Sequence, residues 1–245
     1  DDPNWGGYGG LAWSPGGDAL IAVDDERADL RRYDLTGAQL ARRPHARGFA
    51  GGLAVARDGL VAVSTRGGGL TIVDPDFADV AEVATTSDVA SLAWSSDGQL
   101  AALDEARELT VFADRGTRPI VALTTAAWSG QRHSLAWAPD GQHLAVGGDA
   151  LLLVDVVVGV VVCGYGCVFS FVFSPDGRWL AAHTPPQTVV VRDWRDDRPV
   201  AFWQRTIAPS AGTEPLLLAW RDDRTLLLIT EHSVTAWTIA PLGPA

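Results

Sequence analysis

The residues that could do chemistry are few and scattered. His45, His133, His143, His183 and His232 are spread along a chain of 245 residues. None falls in an H-E-x-x-H zinc motif, and no G-x-S-x-G elbow offers a nucleophilic serine. The glycine-rich stretches "GGYGG" (residues 6–10) and "RGGGL" (residues 66–70) do not join a strand to a helix, so neither presents a helix N-terminus to a phosphate. Cys163 and Cys167, in "CGYGC", lack the second Cys or His pair that a structural zinc site takes. A small disulfide between them suits an oxidising compartment, and two free thiols are the other reading. A set drawn from Asp24, Glu105, His183 and His232 would carry chemistry only if the fold gathered it. The expectation is no catalytic set, no metal site and no cofactor.

Composition narrows the partners. A formal charge of −11 repels nucleic acid phosphates and anionic membrane surfaces, so neither is an expected partner. Every basic residue is Arg, and Asn occurs only at Asn4, a bias that suits a GC-rich, bacterial genome. The chain has no Met, so a signal peptide or further domains are expected outside the sequence given. Residues 151–173, "LLLVDVVVGVVVCGYGCVFSFVF", are long enough to span a membrane and carry one charge, Asp155. Their valines and glycines favour three buried strands instead. A cytoplasmic location is expected over a secreted one.

The elements that must position any site come from a repeat. "LAWSPGGDALIAV" begins at Leu11, and related phrases begin at Leu53, Leu92, Leu135, Phe171 and Leu218. The markers Trp13, Val55, Trp94, Trp137, Phe173 and Trp220 are 42, 39, 43, 36 and 47 residues apart, the period of a four-stranded propeller blade. In each unit an apolar strand such as "SLAWS" (residues 91–95) turns into a second, "LAAL". A third, "LTVFA" (residues 109–113), and a weaker fourth, "PIVAL" (residues 119–123), follow. This gives an all-β chain of 245 residues in a single domain, a propeller of six four-stranded blades, with seven blades or an incomplete last blade as alternatives. The innermost-strand tryptophans Trp13, Trp94, Trp137 and Trp220 are expected to pack between blades, which leaves Trp5, Trp128, Trp194 and Trp203 for other roles.

On these residues the chain resembles the WD-repeat (WD40-like) β-propellers, whose repeats run "VAFSPDG..LA", then "V.LWD", then "TG". The nearest matches are "FVFSPDGRWLA" (residues 171–181) and "LRRYDLTGAQL" (residues 30–40). The family's Gly-His pair is absent, and its Trp-Asp pair survives only as Tyr33-Asp34 or Val73-Asp74. Its buried Asp-His-Ser-Trp tetrad therefore carries over to no blade, and apolar packing must hold the blades together. In that family one terminus completes the blade built by the other. Here the last repeat runs out after "VTAWTIA" (residues 234–240), and "DDPNWGGYGG" (residues 1–10) is a poor strand. Those residues complete the sixth blade, or it has three strands, or a piece lies outside the sequence.

The resemblance implies a non-catalytic scaffold for protein partners, including a domain fused in the same polypeptide. Two blade ends are available to a partner. The turns between first and second strands and between third and fourth carry Asp18, Asp58, Asp97, Asp140, Asp176 and Asp222, with Asp34, Asp74 and Asp114. Aspartate there is turn chemistry. The opposite end carries Arg47, Arg66, Arg107, Trp128, Arg132, Tyr165 and Arg205. Arg with aromatics is the composition of binding hot spots, so these seven are the expected partner-binding residues. The competing reading folds the aromatics onto the blade rims and pairs the arginines with nearby carboxylates. A ligand site or active site at the central channel is the first functional alternative. Self-association through the sixth blade is the second.

Overall fold

The structure, a computed structural model, describes residues 8–24, 27–45, 48–124, 134–166, 168, 170–184, 188–196, 198–204, 217–230 and 233–239. Among these, all regular structure is β-strand. Sheet 1 holds β1 (Tyr8–Trp13), β2 (Ala19–Asp24), β3 (Asp29–Asp34) and β4 (Gln39–Pro44). Sheet 2 holds β5 (Phe49–Val55), β6 (Val61–Thr65), β7 (Leu70–Val73) and β8 (Asp79–Val83), and sheet 3 holds β9 (Val89–Trp94), β10 (Leu100–Asp104), β11 (Glu108–Ala113) and β12 (Arg118–Thr124). Sheet 4 holds β13 (Ser134–Trp137), β14 (His143–Gly147), β15 (Leu151–Asp155) and β16 (Val160–Tyr165). Sheet 5 holds β17 (Ser170–Phe173), β18 (Trp179–Thr184), β19 (Thr188–Asp193) and β20 (Arg198–Gln204). Sheet 6 has three strands among the described residues, β21 (Leu217–Asp222), β22 (Thr225–Ile229) and β23 (Val234–Thr238).

Strand order follows chain order in every sheet, and all pairing is antiparallel, because each connection is short enough only for a hairpin or a small loop. The Ser-Pro-Asp-Gly phrase explains its own recurrence. Ser14, Ser95 and Ser174 donate their hydroxyls to Asp18, Asp97 and Asp176. The same hydroxyls accept the amides of Ala19, Gln99 and Trp179 at 2.9, 2.8 and 2.9 Å. Ser95 and Ser174 are buried, so each hydroxyl replaces the water that the turn excludes. A further regularity is a register shift between third and fourth strands in all five four-stranded sheets, at Arg32/Tyr33, Ile72/Val73, Val111/Phe112, Leu153/Val154 and Val191/Arg192. Such a bulge increases the local twist of the outer strand.

The chain divides into two compact units, residues 1–126 and 127–245. In the first, one apolar layer joins sheets 1 and 2 through Ile21, Val23, Leu30, Phe49, Val61 and Val63. Another joins sheets 2 and 3 through Leu60, Leu70, Ile72, Leu92, Leu100 and Phe112. Gly116 sits against this layer at φ +84°, and a Cβ there would lie 2.7 Å from Ile72 Cδ1. Only glycine meets both the backbone angle and the space. In the second unit, Leu151, Leu153, Phe173 and Leu180 join sheets 4 and 5, and Trp179, Val189, Val191, Leu226 and Leu228 join sheets 5 and 6.

Three expectations from sequence are corrected. Trp13 is 59% exposed. Trp94, its counterpart, packs against the apolar layer of sheets 2 and 3. Trp194 is buried, donating Nε1 to Gly177 O at 3.0 Å and meeting His143 and Phe173 edge-on. It braces sheets 4 and 5 and is not free for another role. In the valine-rich stretch β15 is buried as expected, but β16 is not, with Val160 and Val161 each 46% exposed. A valine-rich run does not reveal that its second strand is the outermost of its sheet.

Candidate functional site

At one end of the first unit, backbone groups tie successive loops together. His45 N donates to Ala28 O at 2.8 Å, Gly48 N to His45 O at 3.1 Å and Arg66 N to Gly48 O at 3.3 Å. Gly67 N and Gly68 N then converge on Asp88 Oδ1 at 2.7 and 2.8 Å. Asp88 O takes Glu105 N at 2.9 Å, and Ser87 Oγ takes Ala106 N at 2.9 Å. The loops after β2, β6 and β10 and those before β5 and β9 therefore form one hydrogen-bonded rim. Its backbone is left-handed at Gly48, Gly67 and Gly68 and, among non-glycine residues, at Ala28 (φ 53°) and Arg107 (φ 70°). Non-glycine residues adopt that region rarely and at a cost.

This rim carries the expected arginines Arg66 and Arg107 and, beside them, Arg27. Arg66 and Arg107 are exposed, and Arg27 has two thirds of its side chain in solvent. Arg66 Nε donates to Phe49 O at 3.0 Å, which holds the stem while the outer nitrogens face water. Arg27 stands 3.8 Å from Asp24. Arg107 has no ion pair among the described residues; Asp104 and Glu108 are engaged instead by the Thr86 hydroxyl, and Asp104 also by the Glu108 amide. Arg47, Trp128, Arg132 and Arg205 lie outside the described residues. Tyr165 ends β16 opposite Leu151, in the other unit. Cys163 pairs through its backbone with Leu153, and Cys167 lies outside the described residues.

Beneath the rim is a charged cluster that sequence reading did not assemble. Asp29 is fully buried and accepts Arg31 Nη2 at 2.9 Å and Arg42 Nε at 2.8 Å. Arg31 also reaches Asp24 at 3.2 Å. The hydrogen bond from Arg42 holds the Asp29 carboxyl below its usual range, against the upward push of burial, and Arg31 adds to the lowering. The Tyr33 hydroxyl and Asp29 hold Arg31 firmly protonated. The signal lay in period two: Asp29 and Arg31 share one face of β3. Asp24, offered from sequence as a channel carboxylate, is thus committed to a buried ion pair. Glu105 is exposed, His183 is buried on β18, and His232 lies outside the described residues. Among the described residues no three His, Cys, Asp or Glu side chains are placed to hold a metal ion.

The opposite end spends its charge locally. Asp34 Oδ1 accepts the Thr36 hydroxyl and the amides of Thr36 and Ala38, which hold its carboxyl below the usual range. Asp74 accepts the amides of Asp76 and Ala78. Burial pushes the Asp140 carboxyl up, but the Gln142 and His143 amides and the His143 ring outweigh it, and the net shift is downward. Arg115 reaches Asp58 of the neighbouring sheet at 3.3 Å, and Arg195 reaches Asp140 at 3.3 Å. At this end Trp13, Val55, Arg57 and Trp94 border a depression of about 300 Å³.

No protein-family model matches the sequence, and no curated protein does. Among solved structures, a chain in "Crystal Structure of Mitotic Checkpoint Complex" matches at a TM-score of 0.75, with 19% identity, over 94% of this chain and 76% of that one. The fold is that of a WD-repeat-like β-propeller. Six consecutive antiparallel sheets make its six blades, the last three-stranded among the described residues. Since 1505 chains of solved structures match, a propeller so widely shared specifies no chemistry by itself.

Proposed function

We propose that the chain is a non-catalytic scaffold that receives a protein partner on the loop rim of its blades. The observation that carries this reading is the exposure of Arg27, Arg66 and Arg107 at equivalent loops of three neighbouring blades, on a rim held rigid by backbone hydrogen bonds. A preorganised rim limits the ordering entropy of binding, and arginine supplies planar donors for partner carboxylates or carbonyls. A similar propeller crystallised within a multiprotein complex is consistent with such use. The partner is a separate protein or a domain of the same polypeptide. Arg47, Trp128, Arg132, Tyr165 and Arg205, expected from sequence to bind a partner, are part of the same proposal.

The test is affinity capture from the source lysate with the chain and with a variant carrying Arg47→Ala, Arg66→Ala, Arg107→Gly and Arg132→Ala, after circular dichroism shows that the variant melts no lower. Retention by the first and loss by the second is expected. Equal recovery overturns the assignment. A second reading, a ligand at the turn end, is favoured by the exposure of Trp13 beside Arg57 and Trp94. In that case Trp13→Ala, and not the arginine variant, abolishes capture.

A further inference from the structure

The outer strands of the blades differ in one respect. Outer strands present unpaired backbone groups to solvent, and charged residues or proline normally keep other strands away. β4 carries Arg42, Arg43 and Pro44; β8 carries Asp79 and Glu82; β12 carries Arg118 and Pro119; β20 carries Arg198 and Pro199. β16, "VVVCGY", has no charge and no proline. All five share the bulge against the third strand, so the bulge does not separate β16 from the rest. Val157 and Val158 in the preceding turn are 75% and 67% exposed, and they extend the apolar surface of Val160 and Val161. These four valines are the densest run of exposed large apolar side chains among the described residues.

We propose that β16 pairs antiparallel with β16 of a second copy of this chain, joining two fourth blades into one continuous sheet about a twofold axis. Such pairing brings a strand against itself, so a strand whose charges share one sign meets like charges. The Arg42–Arg43 pair of β4 or Arg118 of β12 would be opposed in this way, and β16 has nothing to oppose. Valine also suits a pleated surface, where a new neighbouring strand supplies cross-strand contacts for its side chain. β23, where self-association was expected from sequence, also carries no charge and no proline, but its exposed large apolar side chain is Val234 alone, and Trp237 is packed inward. A contact of one strand and one turn belongs to the small, weak interface class. Each copy carries a charge of −11, so the pairing strengthens as salt screens the repulsion. This inference does not depend on the arginine rim.

Sedimentation velocity over a concentration series, at low and high salt, tests the proposal with the whole chain, Val161→Lys and Thr235→Lys. Wild type and Thr235→Lys are expected to move toward twice the 25.9 kDa of one chain, further at high salt, while Val161→Lys stays monomeric. Equal melting of the variants keeps a folding defect from imitating the result. Hydrogen exchange of residues 160–165 must slow several-fold with concentration, which separates backbone pairing from clustering of valine side chains. A wild-type chain that is monomeric throughout, association abolished by Thr235→Lys and not by Val161→Lys, weakening with salt, or exchange that ignores concentration overturns the proposal.

Discussion

The two ends of the first unit carry charge in opposite ways. At the turn end, Asp34 and Asp74 bond to amides two to four residues ahead. At the loop end, the backbone and Asp88 bind one loop to the next, and the arginine heads remain in water. A row of acidic residues in sequence is therefore first a set of turn acceptors; the same bonds lower the carboxyl pKa of Asp34 and keep it ionised, so this end also remains acidic. The arginines are available because carbonyl and aspartate oxygens within the rim have taken the donors around them.

The largest effect should come from under the rim. Asp29→Ala leaves Arg31 and Arg42 without a shared acceptor, and a loss of about 3 kcal/mol in chemical denaturation is expected. Because the folded Asp29 carboxyl titrates below its usual range, its stabilisation is complete above the unfolded value near pH ~4 and is lost as pH falls through the lower folded value. Asp29→Asn should flatten that acid limb of the stability profile. An unchanged limb would show that the pair contributes nothing to the pH dependence.

Turn-end effects should scale with burial. Ser174→Ala strands the Trp179 amide in a dry site and should cost about 2 kcal/mol. Ser14→Ala, half-exposed, should cost about 0.5 kcal/mol, since water replaces the hydroxyl. Equal costs would break the distinction between buried and wet turns. At the rim, Asp88→Ala should cost about 1 kcal/mol and loosen exchange at Gly67 and Gly68. Arg107→Gly should act in the opposite direction, a gain of up to about 1 kcal/mol from relieving the left-handed backbone, while partner capture falls. Lost stability at Arg107 would instead mark it as structural.

Much of the architecture was legible in the chain. The repeat near ~41 residues and strand alternation located every blade, because hairpin pairing is local and turn chemistry is written in adjacent residues. The third strand of the last blade was readable in the same way. Arg66 and Arg107 were legible as rim residues because loop position follows from strand order.

Sequence by itself determined the fold class, the strand order and the self-capping aspartates, all consequences of contacts within a few residues or between neighbouring strands. Tertiary structure alone decided that Trp13 is exposed and Trp194 buried, that Asp29 gathers two arginines, and that β16 lies open at an outer edge. The reason is physical: burial and charge pairing depend on which sheet lies against a given face. That is set by packing between blades, to which a repeating phrase is blind.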